Sequence, residues 1–133
     1  MITDLKKLEE RFFQIKSRAE ADEFIASCGA ENAMVSTHDP NGIYNAVSKT
    51  CETLIDYKPK DLIGNSPYDY FHPDDFQTIL KSHAKVTVRP DIDMVDYRLK
   101  MPNGKFKEVT SFSRQVKDPS GLEFILVLTF ERS

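Results

Sequence analysis

Apolar residues in the first quarter of the chain recur at intervals of three and four. Leu5, Leu8, Phe12 and Ile15 form a narrow stripe of the kind that lines a helical seam. Thr3 is placed to cap that helix, and Ser17 with Glu20 three positions on spells a capping box, so the helix is expected to bend or restart there. Ala21, Phe24, Ile25 and Cys28 carry the buried face on to a stop at Gly29. The stripe fits a helix lying on a sheet of its own chain. Phenylalanine at both 12 and 13 exceeds what one narrow contact uses, which leaves open a partial seam with a second copy.

Beyond residue 33 the pattern shortens to alternation. Residues 33–38 and 43–47 flank Asp39-Pro40-Asn41-Gly42, a strong turn signal, and so predict a hairpin. Ser48 is placed to cap a helix through Cys51, Leu54 and Ile55. Three helical starts follow in quick succession. Pro59 opens the first and Gly64 closes it, Ser66 caps a second with Pro67 at its first position, and Pro73 opens a third with Asp74 and Asp75 against its positive end. That third helix presents Phe76, Ile79, Leu80 and His83 at helical spacing. Residues 86–99 read as extended and broken by Pro90. Pro102-Asn103-Gly104 turns into a strand over 106–116, and Asp118-Pro119-Ser120-Gly121 turns into another over 122–130. The last strand is apolar on both sides, with Phe124, Leu126, Leu128 and Phe130 on one and Ile125 and Val127 on the other. It must be covered on both. These elements predict an α+β fold with one antiparallel sheet and its helices gathered on one face, the N-terminal helix flanking it.

Composition narrows the field. The 133 residues suit one domain, 40% of them are apolar, and a net charge of −3 gives no reason to expect nucleic acid or an anionic membrane as partner. No apolar run approaches the ~20 residues that span a bilayer, and the charged start lacks the apolar region of a signal peptide. Cys28 and Cys51 have no paired spacing and read as reduced, buried residues of a cytosolic protein. Asp69, Asp74, Asp75 and His72 gather where acid–base chemistry could be sought, but acidic residues at helix starts are explained by the helix dipole, and His72 and His38 have structural readings as a cap and a turn residue. Asp96 and Tyr97 cannot share a strand face. With no phosphate loop, nucleophile elbow or metal-ligand spacing, the chain is not expected to be an enzyme.

The order of elements, together with Asp39-Pro40-Asn41-Gly42, the run Tyr57-Lys-Pro-Lys-Asp-Leu-Ile-Gly-Asn-Ser66, Phe71-His-Pro-Asp-Asp75, Tyr97-Arg-Leu-Lys100, Pro102-Asn-Gly104 and Asp118-Pro-Ser-Gly121, resembles a PAS domain over roughly residues 33–132. The stretch from Tyr57 to His83 is especially similar to the second PAS repeat of basic helix-loop-helix transcription factors, and is also common in bacterial sensor kinases. The resemblance implies a five-stranded sheet cupping a small cavity, with residues 1–30 as a flanking cap and 31–133 as the PAS domain. It implies a cytoplasmic input module of a signalling or two-component system, working as a homodimer and holding a small ligand. The alternative is a filled PAS core that serves only as a pairing surface.

Flavin-adduct relatives carry cysteine where this chain has Ser66, so no adduct is expected, and haem would need an axial histidine, for which His83 is a poor candidate. Alternation by itself points Phe106, Thr110, Phe112 and Val116 inward. The resemblance implies the opposite parity, with Val109, Ser111 and Ser113 facing the cavity beside Tyr97, Leu99, Leu128, Phe130 and His83, and with Phe106 and Phe112 outward beneath the first helix. The second register is preferred. In the cap, Leu5, Leu8, Phe12 and Ile15 are the expected contact residues. Thr129-Phe130-Glu131-Arg132 stands where PAS chains run on through an Asp-x-Thr-Glu linker, in degenerate form.

Overall fold

The computed structural model describes residues 1–88 and 92–132. Helices α1 (Leu5–Gln14) and α2 (Arg18–Ser27) precede a hairpin of β1 (Ala33–His38) and β2 (Tyr44–Val47). Short helices α3 (Cys51–Ile55) and α4 (Pro59–Leu62) and two 3₁₀ turns, Pro67–Tyr70 and Pro73–Asp75, lead into α5 (Phe76–Val88). Strands β3 (Asp93–Lys100), β4 (Phe106–Lys117) and β5 (Glu123–Glu131) close the chain. The five strands form one sheet in the order β2-β1-β5-β4-β3, antiparallel throughout.

β5 sits at the centre, and its two apolar faces serve two cores. On the outer face Phe124, Leu126 and Leu128 join Val35 and Val116 beneath Leu8, Phe12, Ile15, Ala21 and Phe24 of α1 and α2. On the inner face Met34, Tyr97, Leu99 and Val109 meet Leu54, Leu62 and Ile79 of the central helices. Polar bonds fasten the outer cover. Arg114 of β4 donates through Nη1 to the carbonyls of Phe12 (3.1 Å) and Ile15 (2.6 Å), satisfying acceptors left open at the end of α1. Its guanidinium lies 5.9 Å from the centre of the Phe12 ring. Asp118, in the β4–β5 turn, accepts from the backbone N–H of Arg18 at 2.6 Å and so caps the first turn of α2.

The seam residues Leu8, Phe12 and Ile15 are fully buried against the chain's own sheet, with Leu5 packed at their edge. Phe13 alone of that group faces out, 49% exposed. Ser17 does start a second helix, accepting from Glu20 N–H at 3.1 Å, but the cap of α1 is Asp4 rather than Thr3, since Asp4 accepts from Lys6 N–H. Ser48 does not cap α3. Its hydroxyl accepts from Val35 N–H at 2.9 Å and so ties the loop to β1. The proline-opened turns fall where expected, and His72 caps the last of them by accepting from Asp74 N–H at 3.1 Å.

Asp75 has a further task. Both its oxygens accept from the Arg98 guanidinium, at 2.9 and 3.1 Å, and Oδ2 also takes the Arg98 backbone N–H. The paired guanidinium holds the Asp75 carboxyl below the usual carboxylate range. This carboxylate also occupies the free edge of β3, where another strand could otherwise pair.

Three expectations fail in the region after Pro73. Residues 86–88 continue α5 instead of starting a strand, and the extended segment begins at Asp93; Pro90 lies outside the described residues. Leu80 does not join Ile79 and His83 on the inner side. One residue is a 100° rotation on a helix, which leaves Leu80 46% exposed. Nor does Phe106 lie beneath the first helix. It is 39% exposed, with its ring 4.7 Å from that of His72 at the sheet's far edge, whereas Phe112 does reach Phe12, ring centres 6.4 Å apart.

The Arg114 clamp yields a measurable expectation. Arg114→Ala removes two charge-assisted bonds to carbonyls and should lower unfolding stability by about 1–3 kcal/mol in denaturant titration. Amide exchange should quicken in α1 and α2 before it does in β4.

Candidate functional site

Between the inner sheet face and the central helices lies a partly enclosed cavity of about 80 Å³. Strand alternation places its floor. Ser36 and His38 come from β1, Ile125, Val127 and Thr129 from β5, Ser111 and Ser113 from β4, and Val95 and Tyr97 from β3. Its roof is Tyr68 and Phe71 from the turns and Ile79, Ser82 and His83 from α5, with Tyr44 at the side.

The cavity's deep end is polar but internally satisfied. Tyr97 Oη lies 2.6 Å from Ser111 Oγ, which lies 2.8 Å from Thr129 Oγ1, so three hydroxyls form a chain across three strands. Burial pushes the Tyr97 phenol up from its usual value and keeps it protonated. A second circuit runs along β1. His38 Nδ1 is 2.8 Å from Gly42 O, and its Nε2 is 2.8 Å from Ser36 Oγ. The Gly42 carbonyl can only accept, so Nδ1 carries the proton and bare Nε2 accepts from the Ser36 hydroxyl. Burial pulls the His38 ring down to about 4, outweighing the lift from the Gly42 carbonyl bond. Gly42 holds a φ of +90°, and a Cβ there would approach His83 Cε1 to 3.3 Å, so glycine fits both the turn and the close approach of α5.

Of the residues expected at the cavity, Tyr97, Ser111, Ser113 and His83 line it. Leu99 belongs to the same inner core but not to the cavity wall, as does Val109. Leu128 and Phe130 are on the wrong side. Ser111 is paired across the ladder with Thr129 and Ser113 with Val127, and directly paired residues share a face. Leu128 pairs with Phe112, and Phe130 with Thr110; Leu128 is buried in the outer core and Phe130 packs against it. The signal that could have corrected this was already in the parity chosen for β4, because serines inward on one strand require Val127 and Thr129 inward on the next. His38 is not the turn residue that its neighbourhood suggests. It ends β1 one position before the turn, and its ring faces inward.

None of the lining residues is Asp, Glu, Lys or Arg. The volume also sets a size limit. It is about half that of an apolar cavity of ~150 Å³ that accommodates benzene, so it suits a molecule of about four non-hydrogen atoms or a few waters. A porphyrin or a flavin ring does not fit. Nor do any His, Cys, Asp and Glu side chains cluster as a metal site among the described residues.

A five-stranded antiparallel sheet in this strand order, cupping a small chamber under a string of short helices, defines the PAS fold. The chain belongs to the PAS-fold family, whose model matches residues 44–128. Among curated relatives, Protein cycle of Drosophila melanogaster is 25% identical over 95 residues, covering 69% of this chain and 23% of that protein. The human basic helix-loop-helix ARNT-like protein 1 is 33% identical over 73 residues, covering 54% of this chain and 12% of that protein. The chain thus spans less than a quarter of either relative. The solved PAS-B domain of Drosophila Cycle with bound ethylene glycol superposes with a TM-score of 0.69 at 22% identity, over 74% of this chain and 99% of that one. A variant of the same domain with bound glycerol gives 0.65 at 24% identity, over 72% and 94%. The expectation of a two-component system finds no support among these relatives. No helix of the described residues is long and apolar enough to cross a membrane.

The neutral His38 ring makes stability depend on pH. Its folded pKa lies below the ordinary 6.5, so the unfolded chain binds the proton more readily. The contribution is therefore complete above about pH 6.5 and is lost as pH falls from there to about 4, a change on the order of 3 kcal/mol. Urea titrations between pH 7 and pH 4 should show that slope, and His38→Gln should remove it.

Proposed function

We propose that this chain is a ligand-sensing PAS module. A small molecule held in the inner cavity would alter how the sheet packs against α1 and α2, and that shift would be its output. The observation that carries the reading is the alternation along β4. Ser111 and Ser113 face the cavity, while their neighbours Phe112 and Arg114 touch α1 on the other side. One strand therefore contacts both the ligand space and the cap. The PAS-B domain of Cycle, which holds ethylene glycol or glycerol in its solved structures, supports the idea that such a fold admits small polar molecules. On this reading the cap comprises residues 1–30, the sensing domain residues 31–133, and the role is regulatory in a cytoplasmic signalling protein, not enzymatic.

Size bounds the affinity. For an occupant of about four non-hydrogen atoms confined to this space, a ceiling near 1.5 kcal/mol per atom gives at most about 6 kcal/mol, a Kd on the order of tens of micromolar. A tighter ligand would have to widen the cavity. Titration with ethylene glycol, followed by NMR, should give saturable shifts at Ile79, Val95 and Val127. Uniform, non-saturating drift with this and every other small probe would refute the sensing role.

A second reading, pairing with another PAS domain or with a second copy, is favoured by one feature. Phe13 and Met94 stand exposed on the outer side, where Met94 is the ladder partner of the half-buried Phe112. The pairing contact would lie there, because the stripe of Leu8, Phe12 and Ile15 is already used by the chain's own sheet. Sedimentation should show self-association that Phe13→Glu or Met94→Glu abolishes. A monomer at all concentrations would leave only a different PAS chain as partner.

A further inference from the structure

We propose that the cavity takes a small uncharged amphiphile of the short alcohol or ketone class, with its carbon skeleton inward and its oxygen at the outer end beside Ser82 and Ser113. The inference rests on the sensing reading above and adds to it the chemical class and orientation of the ligand.

The first argument is hydrogen-bond saturation. The deep polar atoms, those of Tyr97, Ser111 and Thr129 and those of Ser36 and His38, are bonded to one another at 2.6–2.8 Å. A ligand oxygen placed among them would gain a bond only by displacing one already made. The deep end therefore has little to give an oxygen. The surfaces left between these networks are those of Phe71, Ile79, Val95, Ile125 and Val127, which suit carbon.

The second argument is the outer end. Ser82 on α5 and Ser113 on β4 both line the cavity and are half-buried, and no hydrogen bond among the described residues engages either hydroxyl. With the Tyr68 hydroxyl, which lines the roof and is buried with no partner among the described residues, they are the polar groups with bonding capacity to spare. Ser82 and Val95 also line a shallow groove between α5 and β3, together with Thr78, Lys81, Asp93 and Met94, so the outer end is the side that communicates with the surface.

The third argument is charge. The lining carries no carboxylate, ammonium or guanidinium, and the groove outside holds one lysine and one aspartate, which together favour neither sign. An ion inside would lose its hydration without gaining a counter-charge. His38 reports the same environment, since burial there keeps even an imidazole neutral well below its ordinary pKa.

The test uses four probes of similar size on the full chain: 1-propanol, propionate, n-propylammonium and xenon, each titrated by NMR at pH 7. The expected result is saturable binding of 1-propanol with shifts at Ile79, Val95 and Val127, and binding at least tenfold weaker for both ions. Ser113→Ala should weaken 1-propanol several-fold and leave xenon unchanged, and Ser82→Ala should do the same from the helix side. Either ion matching 1-propanol overturns the proposed class, as does xenon binding without 1-propanol. So does 1-propanol binding that neither serine variant alters. If no probe binds, xenon included, the sensing reading itself falls and takes this inference with it.

Discussion

The structure depends on a central strand that cannot touch water on either side. β5 puts Phe124, Leu126 and Leu128 on one face and Ile125, Val127 and Thr129 on the other, with β1 and β4 closing both its edges. Each large side chain left exposed would forfeit about 1.5–3 kcal/mol of burial. The first two helices are therefore part of the core. Without them Phe124, Leu126 and Leu128 would form an apolar sheet face far larger than a stray exposed leucine. The polar bonds from Arg114 and Asp118 add what apolar burial cannot, which is a fixed position for the cover. Phe12 could slide over a greasy face, but two carbonyls aimed at one guanidinium fix both the height and the rotation of α1.

The same strand explains what could be read from the sequence and what could not. Strands and turns were legible because Gly42, Gly104 and Gly121 sit at turn positions that need positive φ, between segments of unmistakable alternation. The proline-started turns were legible for the same local reason. Cavity membership was not, for Leu128 and Phe130, because a strand apolar on both faces carries no internal mark of which face is which. Only pairing decides it, and Ser111 opposite Thr129 settles the parity once the ladder is known. Where several candidates competed for one local role, tertiary context chose among them. Asp4 displaced Thr3 as the cap of α1, and Ser48 was recruited by Val35 N–H on a neighbouring strand. The boundary near residues 86–88 was misjudged because valine and threonine favour strands only weakly, and α5 kept its helical ladder through Val88.

His38 shows how a polar residue can be essential inside an otherwise apolar chamber. Nothing in its sequence neighbourhood marks it as buried. The hairpin turn places Gly42 O and Ser36 Oγ on opposite sides of the ring, so both nitrogens are satisfied when the ring points inward, and burial keeps it neutral. The turn, the tautomer and the inward orientation are thus one arrangement, and altering any of them disturbs the others. Tyr97, Ser111 and Thr129 do the same for the three strands β3, β4 and β5, fixing their relative register from inside the core. Such networks add little net stability compared with apolar packing, but they penalise every alternative register by leaving buried hydroxyls unpaired.

That rigidity bears on how a cavity so small could matter to the rest of the molecule. A close-packed interior does not absorb an added group by spreading a small strain evenly; its elements move between discrete arrangements. Here the inner end of the chamber is held by hydroxyl chains across β3, β4 and β5, and by the His38 circuit within β1. The outer end is formed by half-buried Ser82, His83, Val95 and Ser113. An occupant therefore meets least resistance at α5 and at the end of β4 near Ser113. Arg114 follows Ser113 directly and holds the carbonyls that end α1, so displacement at the yielding end of the chamber acts on the clamp and not on the buried centre of the cap. On the proposed sensing reading the hydroxyl chains would direct a disturbance by resisting it, and the step from Ser113 to Arg114 would be one route by which it reaches α1, beside the packing that β5 shares with both chamber and cap.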